Sequence, residues 1–340
     1  MSSQPNLQVR NLHTYINTER GVVRAVDDVS FEVEPAQALG VVGESGSGKS
    51  VMARAIMGLL PPRAGCSGEV VFRGRNILAL SKKEKLEIWG KQIAMVFQDP
   101  GRSLNPVVRI ERQLTEGMRK HLGTSRSEAR TRALELLREV GVPDPERRLR
   151  NYPHEMSGGM RQRVMIAIAL ACEPDLLIAD EPTTALDVTI QRQILDLLRR
   201  VQRDRGMSLM LISHDLAVVA GRTDRVSVMY AGRLAECGGT RQVFTAPRHR
   251  YTRALMEATP SIERQRYAPL RLIQGGLPDP AAPPSGCRFA PRCGHVTEGC
   301  REAPGPALTE IAPDHAVACA NPALQPITVH SDSGGEIHGG

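Results

Sequence analysis

The most constraining feature of this sequence is a glycine-rich segment directly after a short apolar run. Residues 38–42 are apolar, as expected for a strand buried on both faces of a sheet. The segment that follows is Gly43-Glu44-Ser45-Gly46-Ser47-Gly48-Lys49-Ser50, which fits the pattern G-x-x-x-x-G-K-[ST]. Its backbone N–H groups can point at phosphate oxygens, with Lys49 at the β- and γ-phosphates and Ser50 as a Mg²⁺ ligand. A helix predicted over residues 49–60 presents its positive end to the anion. We therefore predict an ATP–Mg²⁺ site.

A second apolar run ends in two adjacent carboxylates. Residues 176–179 are apolar and precede Asp180 and Glu181. Ligands of parallel sheets gather at the carboxyl edge, so we expect Asp180 in the Mg²⁺ shell and Glu181 as a general base for water. Alone, this pattern is equally a helix start capped by acids; with the phosphate segment it predicts a P-loop NTPase. Helicases, recombination ATPases and kinases share both elements, so these do not define the family.

A third segment narrows the choice of family. Ser157-Gly158-Gly159-Met160-Arg161-Gln162-Arg163 resembles the signature motif of ABC ATPases and stands about twenty residues before the acidic strand, as it does in that family. Small residues at a helix N-terminus suit a γ-phosphate. The resemblance implies that Ser157, Gly158, Gly159 and Met160 serve ATP held by a second subunit in a head-to-tail dimer. Met156 stands where Leu is usual.

Further single positions agree with this resemblance. It implies that Gln98 is the Q-loop glutamine, which senses Mg²⁺ and water, and that His214 is the switch histidine at the γ-phosphate. Catalytic roles thus fall on Glu181, His214 and Gln98. Ala185-Leu186-Asp187 resembles the D-loop at the dimer seam. Tyr15 is a candidate for stacking on adenine, although a surface tyrosine is an equal interpretation.

Other segments resemble the ATPases of oligopeptide/dipeptide and nickel importers. They are Phe97-Gln98-Asp99-Pro100, Ser103-Leu104-Asn105-Pro106 and Arg248-His249-Arg250-Tyr251-Thr252. Arg250 replaces a usual Pro, and Gly101-Arg102 departs from the family near the expected membrane-subunit contact. The resemblance implies an ATPase that powers import of di- or oligopeptides, with nickel as an alternative cargo. Implied partners are two transmembrane permeases, a second and non-identical ABC ATPase (alternatively a homodimer) and, indirectly, an extracytoplasmic substrate-binding protein.

Four of the seven cysteines lie close to the C-terminal end. Cys287, Cys293, Cys300 and Cys319 have the spacing C-x5-C-x6-C-x18-C, which resembles the C-terminal extension of this importer family. Four thiolates in a reducing compartment suit a soft metal or an iron–sulfur cluster, and we favour 4Fe-4S. Zn²⁺ is less natural without a C-x2-C pair, and free or disulfide-bonded cysteines are the other alternative. His295 and His315 are spare candidates, more simply surface residues.

The predicted fold is an α/β P-loop NTPase of the ABC ATPase type. It has a parallel-sheet core, an antiparallel β subdomain, an inserted helical subdomain at about residues 100–160 and a small Cys-rich extension. We place the ATPase domain at residues 6–260, the extension at 261–325 and a disordered tail at 326–340. Ser125 and Glu128 predict a capping box, and residues 277–284 read as a linker.

Composition bears on location and on competing functions. The aromatic share of 3% argues against a base-stacking platform for nucleic acid, and the net charge of +7 fits a solvated surface or a face near anionic lipid. The longest apolar run, residues 164–172, is far below the ~20 residues needed to cross a bilayer. With no signal peptide, we expect a peripheral protein at the cytoplasmic face of the inner membrane. A soluble ABC ATPase for nucleic acid or ribosomes usually has two ATPase halves or a coiled coil, and a non-catalytic subunit would have lost Lys49 or Glu181.

Overall fold

The computed structural model describes residues 4–19, 21–184, 186–258 and 272–324. The predicted tail at 326–340, the predicted boundary at 260/261 and Ala185 of the D-loop lie outside these ranges. The described strands are β1 Leu7–Thr18, β2 Gly21–Val33, β3 Ala38–Val42, β4 Ala64–Phe72, β5 Arg75–Asn76, β6 Ile93–Val96, β7 Leu176–Asp180, β8 Ser208–Ser213, β9 Arg225–Tyr230, β10 Arg233–Gly239, β11 Thr309–Ala312 and β12 His315–Val317. The described helices are α1 Lys49–Ile56, α2 Lys82–Ile88, α3 Pro100–Ser103, α4 Ile110–His121, α5 Arg126–Glu139, α6 Pro145–Arg148, α7 Gly158–Leu170, α8 Val188–Arg205, α9 Leu216–Val219, α10 Thr240–Thr245 and α11 Arg250–Ala258.

The larger sheet has the strand order β11-β12-β10-β9-β3-β8-β7-β6. Its centre, β9-β3-β8-β7-β6, is parallel throughout. The strands β3, β6, β7 and β8 are buried along their whole length, which explains their continuous apolar sequences. The predicted α/β class is therefore confirmed, and the carboxyl ends of β3, β7 and β8 lie along one edge of the sheet.

The smaller sheet is antiparallel, with the order β2-β1-β4-β5. Leu7, Val9 and Leu12 of β1 share a buried core with Met52 and Ile56 of α1. This packing joins the small sheet to the helix that follows the phosphate-binding segment. α1 ends earlier than predicted, because Gly58 adopts a left-handed φ of 60° and lies against the Trp89 ring.

The helical part contains α3 to α7, and its apolar side chains pack into a core that it shares with β6, β7, β8 and α8. Leu114 and Met118 of α4 and Leu136 of α5 pack with Val164 of α7. The capping box of α5 is present as predicted, with Ser125 accepting from the Glu128 N–H and Glu128 accepting from the Ser125 N–H. No helix in the described ranges is both long and apolar enough to span a bilayer.

The C-terminal extension is continuous with the larger sheet. β12 pairs antiparallel with β10, and β11 pairs with β12, so the extension adds the last two strands on that side. Upstream of β11, the segment predicted as a linker contacts the ATPase directly, since the Arg24 N–H donates to the Pro280 carbonyl at 3.0 Å. The extension thus packs along the same side of the protein as the β2 strand and the phosphate-binding segment.

Candidate ATP site

The glycine-rich segment forms a tight loop between β3 and α1. Gly48 is the N-cap of α1 with a φ of 102°, and a Cβ there would lie 2.2 Å from the Ala25 carbonyl oxygen. A Cβ at Gly43 would lie 2.0 Å from the Met229 carbonyl oxygen. Because both contacts are to backbone, neither position accepts a side chain. The loop therefore brings its backbone against β2 and β9 and leaves the N-terminus of α1 open to an anion.

Lys49 is folded over this loop and only 3% exposed. Its Nζ donates to the carbonyls of Gly43 at 2.7 Å and Glu44 at 2.9 Å. Burial lowers the pKa of Lys49, and the charges of Glu181, Asp180 and Glu44 oppose that shift. The hydrogen bonds of this buried ammonium go mostly to neutral carbonyls, so it would be stabilised further by the negative charge of a phosphate.

Asp180 ends β7 and faces the start of α1. The Ser50 hydroxyl donates to Asp180 Oδ1 at 2.7 Å. Burial raises the pKa of Asp180, against the effect of the Ser50 hydrogen bond. A hydroxyl and a buried carboxylate at this distance are the hard oxygen donors that Mg²⁺ prefers, so these two residues fit the ion.

Glu181 gathers the other predicted catalytic residues around one carboxylate. Its Oε2 accepts from Gln98 Nε2 at 3.0 Å and from the Thr184 hydroxyl at 3.0 Å, and lies 3.2 Å from His214 Nδ1. Glu181 has a left-handed φ of 45°, and its N–H donates to the Ile212 carbonyl. Residues far apart in sequence therefore meet at one carboxylate, while their catalytic roles stay predictions. Thr184 was not anticipated, because no sequence pattern distinguishes it.

The signature segment lies beside the D-loop. Ser157 is the N-cap of α7, accepting from the Met160 N–H at 3.3 Å, and Asp187 is the N-cap of α8, accepting from the Ile190 N–H at 2.9 Å. A Cβ at Gly159 would lie 3.0 Å from the Ile190 side chain. The two segments thus form one surface, where Val188 is 82% exposed.

Tyr15 lies on β1, away from the loop contacts described above. Its hydroxyl is 3.1 Å from His13 Nδ1, and His13 is in turn 3.2 Å from the Asp27 carboxylate. A cleft of about 860 Å³ opens beside Gly46, and Leu277 of the extension lines it. Tyr15 does not line this cleft, so its predicted role at adenine stays a prediction.

The back of the phosphate loop is held by residues that the sequence did not single out for this role. The Tyr251 hydroxyl accepts from the Glu44 N–H at 2.8 Å, and Arg292 forms an ion pair with the Glu44 carboxylate. Tyr251 stands in a segment noted above for its family resemblance, but the sequence did not indicate what this residue does. No motif or pattern in the sequence pointed to Arg292.

The four C-terminal cysteines are free thiols, and the Cys287 N–H donates to the Cys300 carbonyl at 2.8 Å. Cys287 is within electrostatic range of Cys300 and Cys319, and Cys319 of Cys300 and Cys293. Burial raises the pKa of the Cys287 and Cys319 thiols. In the described ranges no group of three or more His, Cys, Asp or Glu residues is arranged to hold a metal ion. The donor chemistry fits a cluster, but the thiols would have to approach one another to bind one.

The two nearby histidines differ in their surroundings. His295 is exposed, as expected. The expectation for His315 was wrong, because it is 3% exposed and its Nε2 lies 2.7 Å from the buried Glu236 carboxylate. Its place in β12, which lies between β10 and β11 in the sheet, explains the burial.

Comparison with known proteins agrees with this geometry. Residues 26–184 match the ABC transporter family, and residues 235–300 match the C-terminal region of oligopeptide/dipeptide transporters. Among solved structures, the dimeric ATP-binding cassette MJ0796 bound to ADP and Pi has a TM-score of 0.63 at 28% identity, covering 69% of this chain and 99% of that one. The cbiO1 protein of Clostridium perfringens, part of the cbiONQ transporter complex, has a TM-score of 0.61 at 28% identity, covering 71% and 91%.

Curated relatives cover nearly the whole chain. A probable peptide ABC transporter ATP-binding protein, y4tR, of Sinorhizobium fredii is 52% identical over 94% of this chain and 97% of its own length. The dipeptide transport ATP-binding protein DppD of Bacillus subtilis is 47% identical over 92% and 93%. With the phosphate loop, the Glu181 constellation and the extension all in place, the chain belongs to the ABC transporter ATP-binding proteins that carry the oligopeptide/dipeptide transporter C-terminal region.

Proposed function

We propose that this chain hydrolyses ATP to drive the import of di- or oligopeptides through membrane permeases. The observation that carries the proposal is the convergence of Gln98, Thr184 and His214 on one oxygen of Glu181. That carboxylate belongs to the residue after Asp180, which is bonded to Ser50 at the start of the phosphate-loop helix. The peptide cargo is supported by the relatives y4tR and DppD, which are named for peptide and dipeptide transport.

In this proposal Glu181 polarises the attacking water as a general base. Gln98 and His214 orient that carboxylate, and His214, with a half-exposed side chain, also reaches the γ-phosphate. Lys49 leaves its carbonyl partners for the phosphates. Ser50, Asp180 and Gln98 would hold Mg²⁺, which supplies charge neutralisation on the phosphate oxygens when bound. The remaining catalysis is positioning by the loop backbone.

The active form is proposed to be a head-to-tail dimer. Ser157, Gly158, Gly159 and Met160 would serve the ATP of the second subunit, with Asp187 at the seam. The exposed Val188 beside Asp187 supports an interface there, and the similar MJ0796 cassette has been solved as a dimer. We favour a second, non-identical ATPase as the partner, with a homodimer as the alternative because this chain retains both half-sites.

The membrane contact is proposed at the segment around α3. Gly101 and Arg102 are exposed there, Val107 just beyond is 80% exposed, and Gln98 connects the segment to Glu181. Two permeases docked here would place the chain peripherally at the cytoplasmic face of the membrane, and an extracytoplasmic binding protein would deliver the peptide.

The test is a Glu181→Gln variant in the transporter assembled with its permeases in proteoliposomes. We expect ATP hydrolysis to fall at least about hundredfold and labelled-peptide uptake to stop, while ATP still binds. Glu310→Gln, at an exposed position on β11, is the matched control and should behave as wild type. Retained hydrolysis in Glu181→Gln would refute the catalytic assignment. ATP-driven uptake of nickel without peptide would refute the cargo alone, and failure to assemble with any permease would favour a soluble ABC ATPase.

We also propose that Cys287, Cys293, Cys300 and Cys319 bind a 4Fe-4S cluster, as thiolate ligands. The support is the thiolate donor chemistry of four cysteines at most 32 residues apart in sequence, with the backbones of Cys287 and Cys300 in direct hydrogen-bond contact. A cluster would supply a structural or regulatory centre that is far in sequence from the ATP motifs, although Cys293 directly follows Arg292, which contacts the phosphate loop. Anaerobically purified protein should be brown and contain about four iron atoms and four sulfide ions per chain, which is the composition of the cluster. Colourless protein with one zinc ion, or with no metal, would contradict this.

A further inference from the structure

We propose that Arg292 of the C-terminal extension is a positioning residue of the ATP site. It neutralises the Glu44 carboxylate in the phosphate loop and thereby favours binding of the ATP triphosphate. The inference goes beyond the hydrolytic roles above, because Arg292 lies outside every nucleotide-binding motif and 248 residues from its partner.

The contact between the two residues is a two-pronged ion pair. Arg292 Nη1 donates to Glu44 Oε2 at 2.6 Å, and Nη2 donates to Oε1 at 3.0 Å. The Arg292 side chain is only 5% exposed and that of Glu44 28%. Paired geometry of this kind is among the strongest that a guanidinium makes, and burial protects it from screening by salt.

The extension and the core together fix Arg292 in this position. Its Nε donates to the Gln274 carbonyl at 2.9 Å and Nη2 to the Ile273 carbonyl at 3.3 Å, both in the extension. Nη1 also donates to the Tyr230 hydroxyl at 3.3 Å, and the guanidinium carbon lies 5.8 Å from the centroid of that ring. Since Tyr230 ends β9, the cation is held between the extension and the central sheet without help from nucleotide.

Glu44 is the residue through which this cation reaches the phosphate site. Its carbonyl accepts from Lys49 Nζ, and its N–H donates to the Tyr251 hydroxyl. The Glu44 charge also acts on Lys49 across the loop. Without Arg292, an unpaired carboxylate would compete with the triphosphate for Lys49 and repel its negative charge. The affinity for ATP would then be about tenfold weaker, because the unneutralised Glu44 charge lies several ångströms from the triphosphate.

The competing explanation is that Arg292 only fastens the extension to the core. The two explanations differ in what happens when Glu44 loses its charge. If neutralisation matters, Glu44→Gln removes the repulsion and makes Arg292 dispensable for ATP binding. If fastening matters, Glu44→Gln breaks the same attachment and can only add to the damage.

The experiment measures the affinity of the purified full chain for the fluorescent analogue TNP-ATP, with KM and kcat for ATP hydrolysis and the melting temperature. For Arg292→Gln we expect Kd and KM to rise about tenfold with kcat within about threefold, and for Arg292→Lys a partial recovery. The double variant Arg292→Gln, Glu44→Gln should return Kd to within about threefold of wild type. Arg301→Gln, an exposed arginine of the same extension, is the control and should leave Kd unchanged.

Two results would overturn the proposal. One is an unchanged Kd in Arg292→Gln that is folded. The other is a double variant that binds as weakly as Arg292→Gln or more weakly. Should Arg292→Gln fail to fold, Arg292→Lys and Glu44→Gln alone decide the matter, because neutralisation requires Glu44→Gln to bind at least as tightly as wild type.

Discussion

Replacement of Glu236 by alanine should destabilise the junction between the extension and the ATPase more than any surface change. Glu236 is fully buried on β10. Its Oε1 accepts from the Arg248 N–H at 2.7 Å and contacts His315 Nε2 at 2.7 Å, while Oε2 accepts from the His249 N–H at 3.0 Å. One carboxylate thus connects the chain entering α11 with strand β12 of the extension.

The magnitude follows from the groups that the substitution leaves without a partner. The buried His249 N–H and the part-buried Arg248 N–H lose their acceptor, at about 1–3 kcal/mol each. His315 loses its carboxylate in the same buried site, so we expect a total loss of about 3–5 kcal/mol in the free energy of unfolding. Glu236→Gln keeps one carbonyl acceptor and should cost about 1–2 kcal/mol, because the second N–H and the histidine lose a charged partner.

The assay is urea unfolding of the full chain under reducing conditions, with the slope of the transition compared between variants. Glu310→Ala, exposed on the neighbouring β11, is the control and should change the free energy by less than about 0.5 kcal/mol. A loss below about 1 kcal/mol in Glu236→Ala would refute the reasoning, since it would mean that these N–H groups find water or other acceptors. Equal losses in the alanine and glutamine variants would refute the part assigned to the remaining carbonyl.

Other consequences concern the phosphate loop and acid stability. Gly48→Ala should abolish detectable TNP-ATP binding, because the backbone there is left-handed and the new Cβ would lie 2.2 Å from the Ala25 carbonyl oxygen. The control is Gly65→Ala, whose new Cβ has no atom within 4 Å. TNP-ATP binding by Gly48→Ala would refute the steric argument. Burial lowers the pKa of His249 to about 4, and its Nδ1 accepts from the Tyr251 N–H. In the unfolded chain this histidine has its usual pKa of about 6.5 and takes up a proton below that pH, whereas in the folded chain it stays neutral until pH approaches 4. The free energy of unfolding therefore falls by about 3 kcal/mol as pH is lowered from 6.5 towards 4. Unfolding measured from pH 7 to 4 should show this loss in wild type and less of it in His249→Asn; equal slopes would contradict the assignment.

The parts of the site that chemistry dictates were predictable from sequence. A phosphate loop needs glycine, lysine and serine at fixed spacing, and the acidic strand must deliver Asp180 and Glu181 to the same sheet edge. The family resemblance assigned Gln98 and His214 to the ATP site, but their shared contact with the Glu181 carboxylate appears only in the structure. The buried strands were predictable for a different reason, since a strand covered on both faces has no polar side to interrupt its apolar run.

Contacts between distant segments were not predictable, because no local pattern encodes them. Arg292 is one of 44 lysines and arginines, and nothing in its neighbourhood distinguishes it from a solvated surface charge. His315 looked like a surface residue because its partner, Glu236, is 79 residues away. Residues 277–284 looked like a linker from their proline content, although Leu277 lies beside Gly46 and Pro280 bonds to Arg24. In each case the pairing depends on how the extension packs against the ATPase, at β10, at β2 or at the phosphate loop.

These contacts decide how the cysteines can be studied. Deleting the extension would remove the thiols, but it would also remove the sheet strands β11 and β12, the His315 partner of Glu236 and the Arg292 partner of Glu44. A weakened ATPase in such a truncation would therefore carry no information about a metal cluster. Cys→Ser substitutions that keep Arg292 separate the two effects. If the thiols act only through a bound cluster, we expect those variants to lose iron. Their affinity for TNP-ATP should equal that of wild type, because the ion pair between Arg292 and Glu44 is intact.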